Sequence, residues 1–246
     1  MIQRVLVTGA VGGIGRSVIE KFTKGGWTVV GIDKTSDDIK TSKNISMFNC
    51  DLSNYSQITR LKDLIGNVQL DAIVNCVGKY FSGDIETTSE EDALNIMNDN
   101  FITVFNTVKA FQKNLKSGGS IVNVSSVNSW FPQRNSLIYN AMKGAVTSLT
   151  KSLATDLSKR NIRVNSVAPG SVLTPPLIKY IADRSTQMNV SEEKIQAEIG
   201  RLHLLGRLAY PEEIANVVYF LATSESSFIT GTEITVDGGL TIRSET

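Results

Sequence analysis

Tyr139 and Lys143 stand four positions apart in an apolar-periodic stretch that predicts a helix over residues 136–159. That spacing puts both side chains on one helical face. A free phenol has a pKa near ~10 and is a poor base at neutral pH, but an ammonium held close favours the phenolate and lowers that value. An isolated Y-x-x-x-K is most often an ordinary surface pair, so the weight comes from Ser126, thirteen residues before Tyr139. There the run Ile121-Val122-Asn123-Val124 delivers two hydroxyls to its C-terminal end, the edge where open α/β sheets bind ligands. A serine at a strand exit is commonly a turn former. As a functional group it holds a substrate oxygen while Tyr139 moves the proton.

A second constellation lies near the N-terminus. The first apolar run ends in Thr8-Gly9-Ala10-Val11-Gly12-Gly13-Ile14-Gly15, and a helical pattern starts there. Glycines let the backbone turn tightly and approach a pyrophosphate, which the unpaired amides of a helix start then bind. The spacing is G-x-x-x-G-x-G rather than the usual dinucleotide G-x-G-x-x-G, and without Gly-Lys-Ser/Thr it is no P-loop. A glycine-rich turn alone is often only a tight connection. Asp33 adds to it, closing the second apolar run eighteen residues after Gly15, where a carboxylate accepts hydrogen bonds from the adenosine ribose hydroxyls of NAD. A 2′-phosphate meets like charge there, although Lys34 next door can soften the repulsion.

The elements that must position these groups follow from patterning. Short β-branched runs at residues 4–7, 28–32, 45–48, 72–75, 120–124, 163–167 and 233–236 alternate with helical patterns at 14–24, 55–65, 89–113, 136–159 and 211–221. Runs that are nearly continuous in apolar character suit strands covered on both faces. The expectation is an α/β fold, a single Rossmann-type domain over residues 1–246 with a doubly wound parallel sheet and helices on both faces. Ser89-Glu90-Glu91-Asp92 resembles a capping box, and Pro211 followed by two glutamates suits a first helical turn. Residues 171–205 are the least regular, opening with Pro175-Pro176 and then becoming charged and helix-prone, and they are a candidate substrate lid.

Composition narrows the function classes. Twenty-five basic residues face twenty-four acidic ones, so the net charge of +1 offers no field for nucleic acid or an anionic membrane. No apolar stretch approaches the ~18 residues of a membrane span, and the reading is a soluble cytoplasmic protein. Cys50 and Cys76 lack C-x-x-C spacing and His203 is the only histidine, so no metal site is expected and both cysteines read as packing residues.

Taken together, these residues resemble the short-chain dehydrogenase/reductase family, in its classical branch, over almost the whole chain. The resemblance rests on the turn from Thr8 to Gly15, Asp51-Leu52, Asn75-Cys76-Val77-Gly78, Asn100, Ser126, Tyr139, Lys143, Pro169-Gly170 with Thr174, and the closing Val236-Asp237-Gly238-Gly239. It implies Tyr139 as general acid/base, Ser126 as the group orienting the substrate oxygen, and Lys143 as the group that lowers the tyrosine pKa and binds the nicotinamide ribose. Asn100 supports a proton relay through water to Lys143. The cofactor, NAD, is implied to lie along Gly9, Gly12, Gly13, Ile14 and Gly15, with Asp33 selecting it and Asp51 and Leu52 flanking the adenine. Asn75, Gly78, Pro169, Gly170 and Thr174 continue the path, with Tyr139 and Lys143 at its end. Cys76-Val77 departs from the family's usual Asn-Ala or Ala-Ala. Gly12 stands where NADP-using relatives often carry a basic residue. The resemblance also implies a homodimer or homotetramer through the helices of residues 89–113 and 136–159, whose Phe101, Val104, Phe105 and Val108 could equally pack on the sheet.

The expected activity is interconversion of a secondary alcohol and a ketone with NAD, the partner being a small-molecule alcohol or ketone. Polyols, sugars, cyclic diols, hydroxysteroids and 3-oxoacyl thioesters all remain open, because fold does not choose substrate. Trp130 and Phe131, after Ser126, either line the pocket or pack beneath their loop. The competing reading is a catalytically silent NAD(H)-binding sensor or scaffold, against which stands the full set Asn100, Ser126, Tyr139 and Lys143.

Overall fold

The structure is a computed structural model and describes residues 2–35 and 41–243. Among the described residues seven strands, β1 (Arg4–Thr8), β2 (Thr28–Asp33), β3 (Ile45–Asn49), β4 (Leu70–Asn75), β5 (Leu115–Val124), β6 (Arg163–Pro169) and β7 (Glu233–Val236), form one sheet ordered β3-β2-β1-β4-β5-β6-β7. Every pairing is parallel. Around it run α1 (Gly13–Lys24), α2 (Tyr55–Ile65), α3 (Glu90–Met97), α4 (Thr103–Phe111), α5 (Leu137–Leu157), α6 (Pro175–Met188), α7 (Glu192–Gly200) and α8 (Pro211–Ala222).

Both sheet faces are buried, which explains the unbroken apolar runs. In β1, Val5 and Val7 join one core with Phe22 of α1 and Ile214 and Val218 of α8, while Leu6 joins the opposite core with Ile58 of α2 and Phe111 of α4. Chain order reverses direction across the sheet between β1 and β4, the kind of switch point at which such sheets open a crevice. Thr8, Asp33, Asn75, Val124 and Pro169 all end their strands at that edge. None of the described helices is long and apolar enough to cross a membrane.

Local signals act as their chemistry requires. Ser89 Oγ accepts the Asp92 amide at 3.0 Å while Asp92 Oδ2 accepts the Ser89 amide at 3.3 Å, a complete capping box. Glu213 likewise accepts the Tyr210 amide at 2.8 Å where Pro211 starts α8.

Three elements differ from expectation. The single helix predicted over residues 89–113 is broken by a π turn, Asn98–Ile102, between α3 and α4. Asn100 accounts for it, since its Nδ2 donates to the Ile96 carbonyl at 3.0 Å and competes for the helical ladder. β5 begins at Leu115 rather than residue 120. The polar, glycine-containing Lys116-Ser117-Gly118-Gly119 hides it in sequence, but buried Leu115 pairs with Leu70 across a register shift. Residues 171–205 are ordered into α6 and α7, which close over a small core of their own, Ile181, Ile195 and Leu208.

Candidate active site

Tyr139 and Lys143 occupy the first turns of α5. Lys143 is buried, and its Nζ donates to the Val124 carbonyl at the end of β5 at 3.1 Å and lies 5.6 Å from the centre of the Tyr139 ring. Ser126, two residues past β5, stands close enough to the Tyr139 hydroxyl to oppose the rise in its pKa. Its Oγ also accepts the Asn128 amide at 3.2 Å. Strand and helix therefore bring the serine, tyrosine and lysine together as the sequence implies.

The protonation states carry a surprise. Burial pushes the Tyr139 hydroxyl up to about 12, and nearby Ser126 opposes this only in part. The expected lowering by Lys143 is not what this arrangement produces, because burial of the phenolate outweighs it. Burial also pulls Lys143 down to about 8, opposed by its neighbours Cys76 and Glu233. The Tyr139 side chain is half-buried and packs edge-on against Tyr80 with ring centroids 5.2 Å apart. Burial lifts Cys76 to about 12 and Cys50 to about 11, leaving both as neutral packing thiols.

Asn100 is fully buried, with Nδ2 donating to the Lys79 carbonyl at 3.0 Å and Oδ1 accepting the Lys79 amide at 3.2 Å. Gly78 sits beside both this amide and the lysine, for a Cβ there would come within 3.1 Å of Asn100 Oδ1 and 2.9 Å of Lys143 Nζ. Asn75 does something different from its neighbours. Its Nδ2 donates to Asn123 Oδ1 at 2.8 Å and its Oδ1 accepts from Thr8 Oγ1 at 3.3 Å, a polar ladder that Asn123 extends to Thr150 of α5.

The glycine-rich turn supplies a cradle. Gly9 has φ +63°, and a Cβ there would lie 2.8 Å from the Cys76 carbonyl carbon; a Cβ on Gly15 would collide with the Gly9 carbonyl. Only glycine lets these backbones approach. Gly12 caps α1 with no side chain bonded to the helix start and no acid in its first turn, so the amides of Gly13, Ile14 and Gly15 are offered to an anion. Thr174 closes over this turn, its Cγ2 lying 2.7 Å from where a Gly13 Cβ would stand. Pro169 ends β6, and Gly170 donates its amide to the Val236 carbonyl at 3.1 Å. Asp33 Oδ2 accepts the Val11 amide at 3.0 Å, which fixes the carboxylate at the mouth of the cradle. Leu52 is buried, and Asp51 holds Ser53 through its amide at 2.9 Å and its hydroxyl at 2.6 Å. Backbone amides, a small-residue floor and a carboxylate in this order fit a dinucleotide.

Several participants escaped the sequence reading. Asn128 donates to Asn140 Oδ1 at 2.8 Å, and Asn140 donates to the Gln133 carbonyl at 2.9 Å, tying the serine loop to the tyrosine helix. Glu233 accepts from Ser129 at 3.1 Å, Thr147 at 2.6 Å and Ser166 at 3.0 Å, bracing α5 from behind. Asn123, polar inside an apolar strand, carried a readable signal; Tyr80 and Glu233 carried none. A cavity of about 520 Å³ lined by Trp27, Asp71, Lys116 and Arg163 opens at the opposite edge of the sheet, and none of the site residues lines it.

Comparison with known proteins agrees with this geometry. A family profile described as enoyl-(acyl carrier protein) reductase matches residues 9–241. The chain is 33% identical over 249 residues to the 3-oxoacyl-(acyl-carrier-protein) reductase FabG of Thermotoga maritima, covering 96% of this chain and 97% of that one. A short chain dehydrogenase family protein from Francisella tularensis superposes with a TM-score of 0.94 at 34% identity, covering 99% of this chain and all of the other. The NADP-bound structure of ElxO gives a TM-score of 0.84 at 28% identity, with coverage of 99% and 100%. Members of this family bind a nicotinamide cofactor, act on small-molecule substrates at CH–OH groups and commonly oligomerise. With the sheet, the cradle and the matches in agreement, the chain belongs to the short-chain dehydrogenase/reductase family of oxidoreductases.

Proposed function

We propose that this chain interconverts a secondary alcohol and a ketone with NAD, and that Tyr139, near Ser126 and beside buried Lys143, is its acid/base. The observation that carries the reading is the placement of Tyr139 beside buried Lys143, whose Nζ is tied to the end of β5, with Ser126 two residues past that strand at the C-terminal edge of the sheet. A nicotinamide cofactor, when bound, supplies the hydride acceptor or donor. With its pKa near 12, Tyr139 holds its proton at neutral pH and is ready to give it to a carbonyl oxygen that Ser126 orients. For alcohol oxidation the same hydroxyl must lose its proton first, and positive charge beside it helps. Asn100, with Lys79 on one side and Gly78 between it and Lys143, is suited to anchoring a water on that proton path. Following NADH absorbance with purified protein across polyols, sugars, hydroxysteroids and acyl thioesters tests the activity. Tight NAD binding with no turnover of any alcohol or ketone would establish the sensor reading instead.

Cofactor choice rests on Asp33, whose charge favours two ribose hydroxyls over a phosphate. Asp33→Asn keeps an acceptor for the Val11 amide while removing that charge, and charge-assisted hydrogen bonds are worth ~1.5–3 kcal/mol. The expected result is at least ~10-fold weaker NAD binding together with a gain toward NADP, read as kcat/KM for both cofactors. A wild type that prefers NADP contradicts this reading.

Residues 171–205 are proposed as a lid because α6 and α7 pack on a core separate from the two sheet cores. Their amides are expected to exchange faster than those of the sheet and to slow when NAD binds. Equal protection with and without NAD would make the segment structural. Association into a homo-oligomer through the helices α3 to α5 is part of the same proposal.

A further inference from the structure

Lys34 follows Asp33 in the chain, and two carboxylates from elsewhere take its ammonium. Asp99 Oδ1 lies 3.0 Å from Nζ and Asp51 Oδ1 lies 3.6 Å away. Asp51 stands just after β3 and Asp99 in the π turn beside Asn100, so the lysine links the end of β2 to two separate elements. Its side chain is 51% exposed while those of Asp99 and Asp51 are 22% and 33% exposed. The acids are therefore the more fixed partners, and Asp51 is further held by the Ser53 hydroxyl at 2.6 Å. Burial works against the lysine's charge, yet the hydrogen bond and charge of Asp99, aided by Asp51, leave its pKa raised overall.

Asp33 and Lys34 give opposite answers to a 2′-phosphate. Asp33 repels it, and a free lysine next door would attract it, since a phosphate monoester carries roughly −1.5 to −2 charge near neutral pH. Which answer prevails depends on where the lysine's charge is engaged. We propose that Asp99 is a specificity-determining residue acting through Lys34: it engages the ammonium and so withholds from NADP the cation adjacent to Asp33. The inference rests on the NAD reading of Asp33 and adds the device that keeps a neighbouring lysine from undoing it. Asp99 lies in the π turn and accepts from Lys34 at the end of β2, while Asn100 next to it stays buried.

Isothermal titration calorimetry of NAD and NADP on the full chain tests this without any substrate. The variants are Asp99→Asn, Lys34→Gln and the double substitution. Half-exposed ion pairs are individually weak, so the ratio Kd(NADP)/Kd(NAD) is expected to fall by about 5-fold in Asp99→Asn. In the Lys34→Gln background the same substitution should leave that ratio unchanged. An equal fall in both backgrounds would mean that loss of negative charge acts through space, and the proposal would be wrong. It would also be overturned by no fall in Asp99→Asn, and Asp99→Ser repeats the measurement without an amide that could still hold the lysine. The wild-type ratio is a separate readout: a value below one sinks the NAD reading, while the cycle still reports whether Asp99 restrains Lys34.

Discussion

Tyr139→Phe lowers turnover by ~10²- to 10⁴-fold while NAD binds nearly as before, the expected cost of removing a general acid/base. The substitution deletes only the hydroxyl. The ring keeps its edge-on contact with Tyr80, and the Phe side chain leaves the Lys143 bond to Val124 in place. Stability should change by about 1 kcal/mol or less, because Ser126 keeps the Asn128 amide as its partner. Measuring single-turnover rates beside a calorimetric NAD titration separates the two effects. A variant that turns over within ~10-fold of wild type would remove Tyr139 from the chemistry and leave Ser126 or a bound water as the proton carrier.

Much of this arrangement was legible in the residues alone, and the reasons are physical. Strands covered on both faces must be apolar throughout, so β1, β2 and β4 announce themselves, and helix α5 fixes the Tyr139–Lys143 face through its 3.6-residue period. Glycines at 9 and 15 report close backbone approach because no other residue fits there. What was illegible depends on contacts between distant segments. The π turn follows from Asn100 choosing the Ile96 and Lys79 carbonyls, a choice that the spacing of apolar residues does not encode. The link from Asn128 to Asn140 joins a loop to a helix, and Glu233 collects hydroxyls from α5, β6 and the loop after β5. The tyrosine pKa also depends on enclosure in three dimensions. Proximity along a helix suggests that the lysine lowers it, but burial dominates.

Lys143→Met should abolish most turnover, by more than ~10²-fold, yet leave the chain as stable as wild type or somewhat more stable at pH 7. Lys143 is 4% exposed, and burial brings its pKa from 10.5 to about 8. A fall of that size corresponds to about 3 kcal/mol of cost in keeping the ammonium charged, at ~1.4 kcal/mol per pH unit. Methionine fills similar space without that cost, but the Val124 carbonyl loses its donor, worth ~1–3 kcal/mol. The difference near zero to ~2 kcal/mol in favour of the variant is the expected result in denaturant titrations at pH 7. The pH dependence fixes the sign independently. Between about 8 and 10.5 the unfolded chain keeps the proton on Lys143 while the folded chain releases it, so unfolding takes up a proton. Wild-type stability must then rise with pH relative to Lys143→Met, recovering about 3 kcal/mol by the top of that window. Below about 8 both states of the wild type are charged and the difference between the two proteins should be flat. A wild-type advantage that stays constant from pH 7 to 10.5 would mean that Lys143 is not held against its charge. The lysine would then be a structural tie to Val124, and its position beside Tyr139 would need another explanation.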